Sequence, residues 1–353
     1  MNLARCDALL RGRVSRLIGW LLTGLALGFV GWQLTQGGAW QLAGDRLERL
    51  APAVLLGALA YALASFLLAE AWRQLLGPAA GSAPACSYHA VYGRTQIIKY
   101  LPGNVFHFAG RQILGRRLGH EQATLALASM AEVLLLLLVA ASLAAPLVPR
   151  WLSLGPVVAW TGAALAIAIV AMLTIRFLMR SAPSTPTPPA PIEGEGEKGR
   201  CPELPLPPCG GGPGWGVRRD RWRAWSARIT TLRLCRAALL YAAFFVVGGV
   251  LLWLLTLSAG RHDLGAPDLM ISISALALAW MAGFVTPGSS AGFGVREAVL
   301  IMVMQSSLDR EAGVLVALAM RLVTLVGDLL FFAASLALPL PRAHSPAVST
   351  SIN

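Results

Sequence analysis

The apolar residues of this chain come in long unbroken blocks, at about 17–34, 51–69, 122–148, 154–179, 235–258, 268–286 and 312–340. Neither the period-two alternation of a half-buried strand nor the narrow stripe of a soluble amphipathic helix organises them. A helix needs about 20 predominantly apolar residues to cross the hydrocarbon core of a bilayer, and each block is close to or above that length. A shorter apolar stretch at about 297–306 is either a further span or half of one. The pattern predicts an all-α fold, a polytopic transmembrane bundle of seven or eight spans. The first block follows Arg5, Arg11, Arg13 and Arg16 as a signal peptide would. It is too long for one, and no small-x-small site follows before Trp40, so it reads as a retained anchor.

One segment departs from this pattern. Residues 181–214 are dense in Pro, Gly and Glu and cannot build a core. Directly after them Trp215, Trp222 and Trp225 are interleaved with Arg218, Arg219, Arg221, Arg223 and Arg228. That composition suits a juxtamembrane helix with tryptophans at headgroup depth and arginines near lipid phosphates, either an ordinary anchor or an anionic-lipid sensor. The expected organisation is a first transmembrane half over 1–180, a disordered cytoplasmic linker with its basic Trp/Arg segment over 181–228, a second transmembrane half over 229–342, and a disordered tail over 343–353.

Composition strengthens the membrane reading. Hydrophobic residues make up 56% of the 353 and charged residues only 13%, with mean hydropathy +0.64; soluble domains carry about 25% charged residues. The net charge of +12 would suit a nucleic-acid partner if it were spread over a soluble surface. Instead the basic residues lie in the N-terminal arm, in 94–117 and in 218–236, each beside an apolar block. The positive-inside rule places these segments, and the N-terminus, on the cytoplasmic side of the inner membrane, with no nucleic acid required. Cys6, Cys86, Cys201, Cys209 and Cys235 all fall in segments read as cytoplasmic, without zinc-like spacing, and are expected to be free thiols.

The polar connections carry the candidate chemistry. Pro102-Gly103 is followed by Phe108 and Arg111; Pro287-Gly288 is followed by Phe293 and Arg296. Phe lies six and Arg nine residues beyond the proline in both, and both loops follow the second block of their half, so the halves read as repeats. Around Pro287 the order Thr286-Pro287-Gly288-Ser289-Ser290, then Gly292, Gly294, Arg296 and Glu297, stops one helix and starts another. Bare backbone at a broken helix must line protein or a cavity, and a helix N-terminus with an arginine beside it suits phosphate or carboxylate. The first loop repeats the plan, with Arg94, Gln96, Lys99, Asn104, His107 and Arg111 around its Pro-Gly. Two such loops could converge on one headgroup. The alternative is a pair of tight cytoplasmic turns, which is how Arg116 and Arg117 are read.

Charges inside spans are costly and hence informative. Glu132 interrupts an apolar run, while Arg321 and Asp328 are seven residues apart, on nearly one helical face. They are expected to pair through an intermediate group, or with Glu132 and Arg296 across the bundle. A structural lock and a proton or headgroup relay fit equally. Glu70 and Arg73 read as a local pair. His89, His107 and His120 have no ligand-like spacing, so no metal and no cofactor is expected. No nucleotide-binding glycine loop, paired-His metalloprotease motif or Asp-rich sugar-nucleotide loop occurs, so the chain is not expected to be an enzyme.

Taken together, Lys99-Tyr100-Leu101-Pro102-Gly103, the stretch from Thr286 to Glu297, and Gly327-Asp328 resemble the lysylphosphatidylglycerol synthase transmembrane region. This flippase-like family includes the membrane half of the multiple-peptide-resistance factor. The resemblance covers nearly the whole chain apart from the linker. It implies translocation of a lipid between leaflets, with Pro287, Gly288, Gly292, Gly294, Arg296 and Glu297 lining a headgroup cavity and Lys99, Pro102 and Gly103 opposite. The cytosolic aminoacyl-transferase domain of the synthase has no counterpart here, and Ser289-Ser290 stand where another Gly is expected. The expected activity is movement or binding of an anionic or phosphate-bearing lipid at the cytoplasmic membrane. The expected partners are membrane lipids, an anionic phospholipid or a lipid-linked sugar. The alternatives are a membrane partner of a lipid-linked glycosyltransferase and a small-solute secondary transporter.

Overall fold

In the computed structural model, residues 39–78, 83–100, 106–147, 225, 229–261, 265–286, 291–305 and 308–340 are described. They form eight α-helices and no strand. In chain order these are α1 (Ala39–Leu76), α2 (Ala85–Gln96), α3 (Phe106–Gly115), α4 (Gln122–Ala144), α5 (Thr231–Ser258), α6 (Ala266–Val285), α7 (Val295–Met304) and α8 (Arg310–Ala337). A 3-10 turn, Ile97–Tyr100, continues α2, and a second, Arg116–Leu118, follows α3. Among the described residues five helices are long and apolar enough to cross a membrane: Leu50–Leu76 of α1, then α4, α5, α6 and α8. The blocks at 17–34 and 154–179, the linker up to residue 224 and the tail lie outside the described residues.

The helix ends follow local chemistry. Thr230 caps α5 by accepting from the Arg233 amide. At α6, Asp268 reaches back to the Gly265 amide, with Pro267 in the first turn. At α7, Glu297 Oε2 accepts from the Gly294 amide at 2.6 Å, so a carboxylate satisfies a donor that the broken chain would otherwise leave bare.

The packing is inverted relative to a water-soluble bundle. Leu55, Leu56, Leu59 and Leu63 of α1 and Leu322, Leu329, Leu330 and Leu336 of α8 point outward, with Leu56 70% exposed. Ser65, Thr95, Gln96, Arg111, Glu132, Glu297 and Asp328 lie inside. An outward apolar face suits lipid and not water. Helix α1 packs along α5 and α8; α8 also contacts α2, and α4 contacts α6. Close crossings depend on small residues. A Cβ on Gly249 of α5 would lie 2.5 Å from Ile273 Cα of α6, and one on Gly93 of α2 would lie 2.5 Å from Ser335 Cβ of α8.

The apolar block at 297–306 is a ten-residue helix, α7, too short to span. It folds back on α6, as the ten-residue α3 folds back on α2. Helix α2 has no counterpart among the apolar blocks. Its composition is too polar for a lipid-facing span, yet it buries Tyr88, Tyr92, Thr95 and Gln96, because its polar groups find partners on α3, α4 and α8.

Candidate functional site

Among the described residues two clusters of buried charge occupy the interior, one within the first half and one that joins the two halves. The first joins α2, α3 and α4. Arg111 Nη1 meets Glu132 Oε2 at 2.5 Å, and its Nη2 donates to Gln96 Oε1 at 3.1 Å. The Tyr92 hydroxyl donates to Glu132 Oε1 at 2.8 Å, and the guanidinium lies 3.6 Å from the centre of the Tyr92 ring. Arg111 and Glu132 are each about 1% exposed. This cluster has one cation, one carboxylate and no net charge. Its anionic position is already filled by Glu132, so Arg111 is engaged inside the protein.

The second cluster is different in kind. Lys99 Nζ, on the 3-10 turn, lies 2.7 Å from Asp328 Oδ2 of α8, and Tyr100 donates to the same oxygen at 2.6 Å. About two turns earlier on α8, Arg321 Nε stands 3.4 Å from Glu297 Oε1, and its Nη1 donates to the Ala291 carbonyl at 3.3 Å. The Arg321 guanidinium sits 3.6 Å from the Phe293 ring centre and 5.9 Å from that of Tyr100. Tyr100 thus lies between the two ion pairs. Arg296 has no carboxylate within ion-pair distance among the described residues, and its buried Nε has no hydrogen-bond partner there. Arg321 Nη2 is likewise without one.

The backbone before α7 shapes this site. Ala291, Gly292 and Gly294 have φ of 51°, 74° and 81°, a region open to glycine at little cost. At Gly292 the lack of a side chain matters twice, because a Cβ there would stand 2.7 Å from Arg296 Nε. Gly283 of α6 closes on Arg296 from the other side, where a Cβ would be 2.6 Å from Cγ. Arg296 is therefore threaded between two glycines into a small cavity also lined by Tyr61, Phe244, Phe245, Trp280, Glu297 and Arg321. The cavity has two arginines and the Glu297 carboxylate at one end and an aromatic wall.

Of the residues singled out in the sequence, Lys99, Gly292, Gly294, Arg296, Glu297, Arg321 and Asp328 come together in the second cluster. Arg111 and Glu132 stand apart in the first. Pro102, Gly103, Pro287 and Gly288 lie outside the described residues. The intramembrane charges choose partners other than those expected: Asp328 takes Lys99, Arg321 takes Glu297, and Glu132 takes Arg111. Arg111 and Arg296 share an offset from proline, but Arg111 is the sixth residue of its helix and Arg296 the second. Glu70 and Arg73 do form a local pair, at 2.6 Å. Tyr61 and Trp280 escaped the sequence reading, and Tyr100 entered it only within the Lys99–Gly103 motif; each sets an aromatic polar group beside or within an apolar block. Among the described residues no group of His, Cys, Asp and Glu could hold a metal.

Comparison with known proteins gives no further guide. No protein-family model, curated protein or solved structure matches the chain.

Proposed function

We propose that this protein binds an anionic, phosphate-bearing lipid headgroup at the second cluster and moves it across the cytoplasmic membrane, as its resemblance to the flippase-like family implies. The observation that carries this reading is Arg296, a guanidinium that makes no ion pair among the described residues and lines a cavity with Arg321 and Glu297. A cation set inside a bundle is costly unless an anion meets it. Among the described residues the carboxylate in this cavity, Glu297, is engaged by Arg321 and the Gly294 amide, so a ligand is the natural counter-ion for Arg296. Guanidinium groups suit phosphate through paired N–H donors. Acyl chains would remain among the outward leucines while the headgroup enters between helices.

In this reading the two halves are repeats of one plan: a long helix, a helix broken near a Pro-Gly loop, a ten-residue return helix and a second long helix. Supporting it, the contacts of α8 with α1 and α2 are mirrored by those of α4 with α5 and α6. The repeats have diverged in charge. The first keeps its arginine neutralised and serves as a lock; the second leaves its arginine open and serves as the site. The N-terminus is cytoplasmic and the membrane is the inner one, on the placement of basic residues.

The test is transport of a labelled anionic phospholipid in liposomes containing the purified full chain. Arg296→Ala should abolish it while leaving the folded fraction unchanged. Full transport by that variant would sink the site. Absence of transport by the unaltered protein, together with co-purification of a glycosyltransferase, would favour the role of membrane partner instead.

A further inference from the structure

The cavity beside Arg296 is small, about 40 Å³. At about 10–15 Å³ for each water that is room for roughly three, which is also the space taken by the three terminal oxygens of a phosphomonoester. Two guanidiniums face one carboxylate at its charged end, an excess of one positive charge. The carboxylate is already engaged, since Glu297 accepts from the Gly294 amide and pairs with Arg321. Both guanidiniums retain unused donors. Arg296 Nε and Arg321 Nη2 are buried without a hydrogen-bond partner among the described residues, and the Arg321 side chain is only 10% exposed.

The rest of the lining is mostly apolar and closely interlocked. Edge-to-face contacts run from Tyr61 to Phe244 at 5.5 Å, Phe244 to Phe245 at 5.7 Å and Phe245 to Trp280 at 5.4 Å between ring centres. Trp280 stacks in turn on Phe284 at 5.2 Å. Each ring is held by the next, so this wall resists parting for a larger group. Leu276 and Met320 also line the cavity. A Cβ on Gly248 would collide with Leu276 Cδ2, so α5 and α6 meet closely here. The hydroxyls of the lining are those of Tyr61 and Thr324, and Thr324 donates its own to the Arg321 carbonyl.

We infer that the site selects an unsubstituted phosphate, the terminal group of a lipid phosphomonoester, an inference that rests on the headgroup site proposed above. A monoester fills the cavity with oxygens alone, each an acceptor for the unused guanidinium donors. A phosphodiester has a second ester arm. Its first arm leads back to the acyl chains in the bilayer, and the second carries its atoms against Phe244, Phe245, Leu276 and Met320. A glycerol or sugar there exceeds the room for a phosphate and sets hydroxyls against side chains that cannot pair with them. Arg296 and Arg321 therefore supply the attraction, while the aromatic wall and Leu276 set which headgroup profits from it.

The experiment titrates the full chain in a neutral detergent, at one pH, with the dioctanoyl forms of phosphatidic acid, phosphatidylmethanol and phosphatidylglycerol. The last two carry the same single charge and differ only in the size and hydroxyls of the substituent, so charge does not separate them. Phosphatidylglycerol should bind about tenfold or more weakly than phosphatidylmethanol, the scale on which a fitted pocket rejects an ill-fitting group. Phosphatidic acid should bind at least as tightly as phosphatidylmethanol. Leu276→Ala opens the lining and should narrow the gap between the two diesters; Met320→Ala trims the same lining from α8 and serves if Leu276→Ala does not fold. Equal affinity for the two diesters in the unaltered protein overturns the selection and leaves the headgroup reading standing. A gap that neither folded variant narrows overturns the role of the wall. Binding of none of the three lipids overturns the headgroup reading and the inference with it. Inorganic phosphate that displaces phosphatidic acid at equal concentration assigns the cavity to free phosphate and overturns the lipid assignment.

Discussion

If the Arg111–Glu132 pair is a lock and not part of the lipid site, it should be replaceable by apolar residues without loss of binding. Both side chains are about 1% exposed and each meets a further partner, Gln96 or Tyr92. Glu132→Leu alone would strand a buried guanidinium, at a cost of about 3–5 kcal/mol. Arg111→Met combined with Glu132→Leu removes both charges and leaves only the Tyr92 hydroxyl and the Gln96 carbonyl unmet. Interhelical hydrogen bonds in membranes contribute about 0.6–2 kcal/mol each, so the double variant should lie roughly 1–4 kcal/mol below the unaltered protein. Adding Tyr92→Phe should recover part of that. Unfolding in mixed micelles with increasing dodecyl sulfate measures the ordering, with Glu132→Leu the least stable. Phosphatidylglycerol binding by the double variant then decides the role. Retained affinity assigns the pair to the bundle; a double variant that is folded yet cannot bind refutes the reasoning and returns Arg111 to the headgroup site.

Other expectations can be checked with the same assays. Gly283→Ala and Gly292→Ala both push a methyl against Arg296, at 2.6 and 2.7 Å. Each should weaken lipid binding, and Gly292→Ala should also destabilise by a further ~1 kcal/mol or so because its φ of 74° is strained for alanine. Gly249→Ala meets the backbone of Ile273 and should cost about 1–3 kcal/mol by forcing α5 from α6. Gly313→Ala meets nothing within 4 Å and should stabilise α8 by about 0.5–1 kcal/mol.

Membrane character was legible in the sequence because it depends on length and composition, which need no tertiary partner. Five apolar blocks correspond closely to α1, α4, α5, α6 and α8, and the Gly292, Gly294, Arg296 and Glu297 constellation marked the start of α7. Helix α2 was not legible. A polar segment becomes a buried helix only when other elements supply partners, and apolar blocks carry no sign of that. The basic residues of 94–117 show the same limit. Arg116 and Arg117 are exposed. Arg94, Lys99 and Arg111 are not free loop charges; they bind the end of α8, Asp328 and Glu132.

The two arginines nine residues beyond their prolines state the matter most sharply. Sequence alone made them equivalent, because spacing along a chain fixes which residues share a local motif. Only the folded bundle distinguishes them, since the worth of a charge depends on what stands opposite it across the interior. Glu132 stands opposite Arg111, while Arg296 is left in a cavity between two glycines, and the Glu297 carboxylate there pairs with Arg321. The motif was local and its chemistry was not.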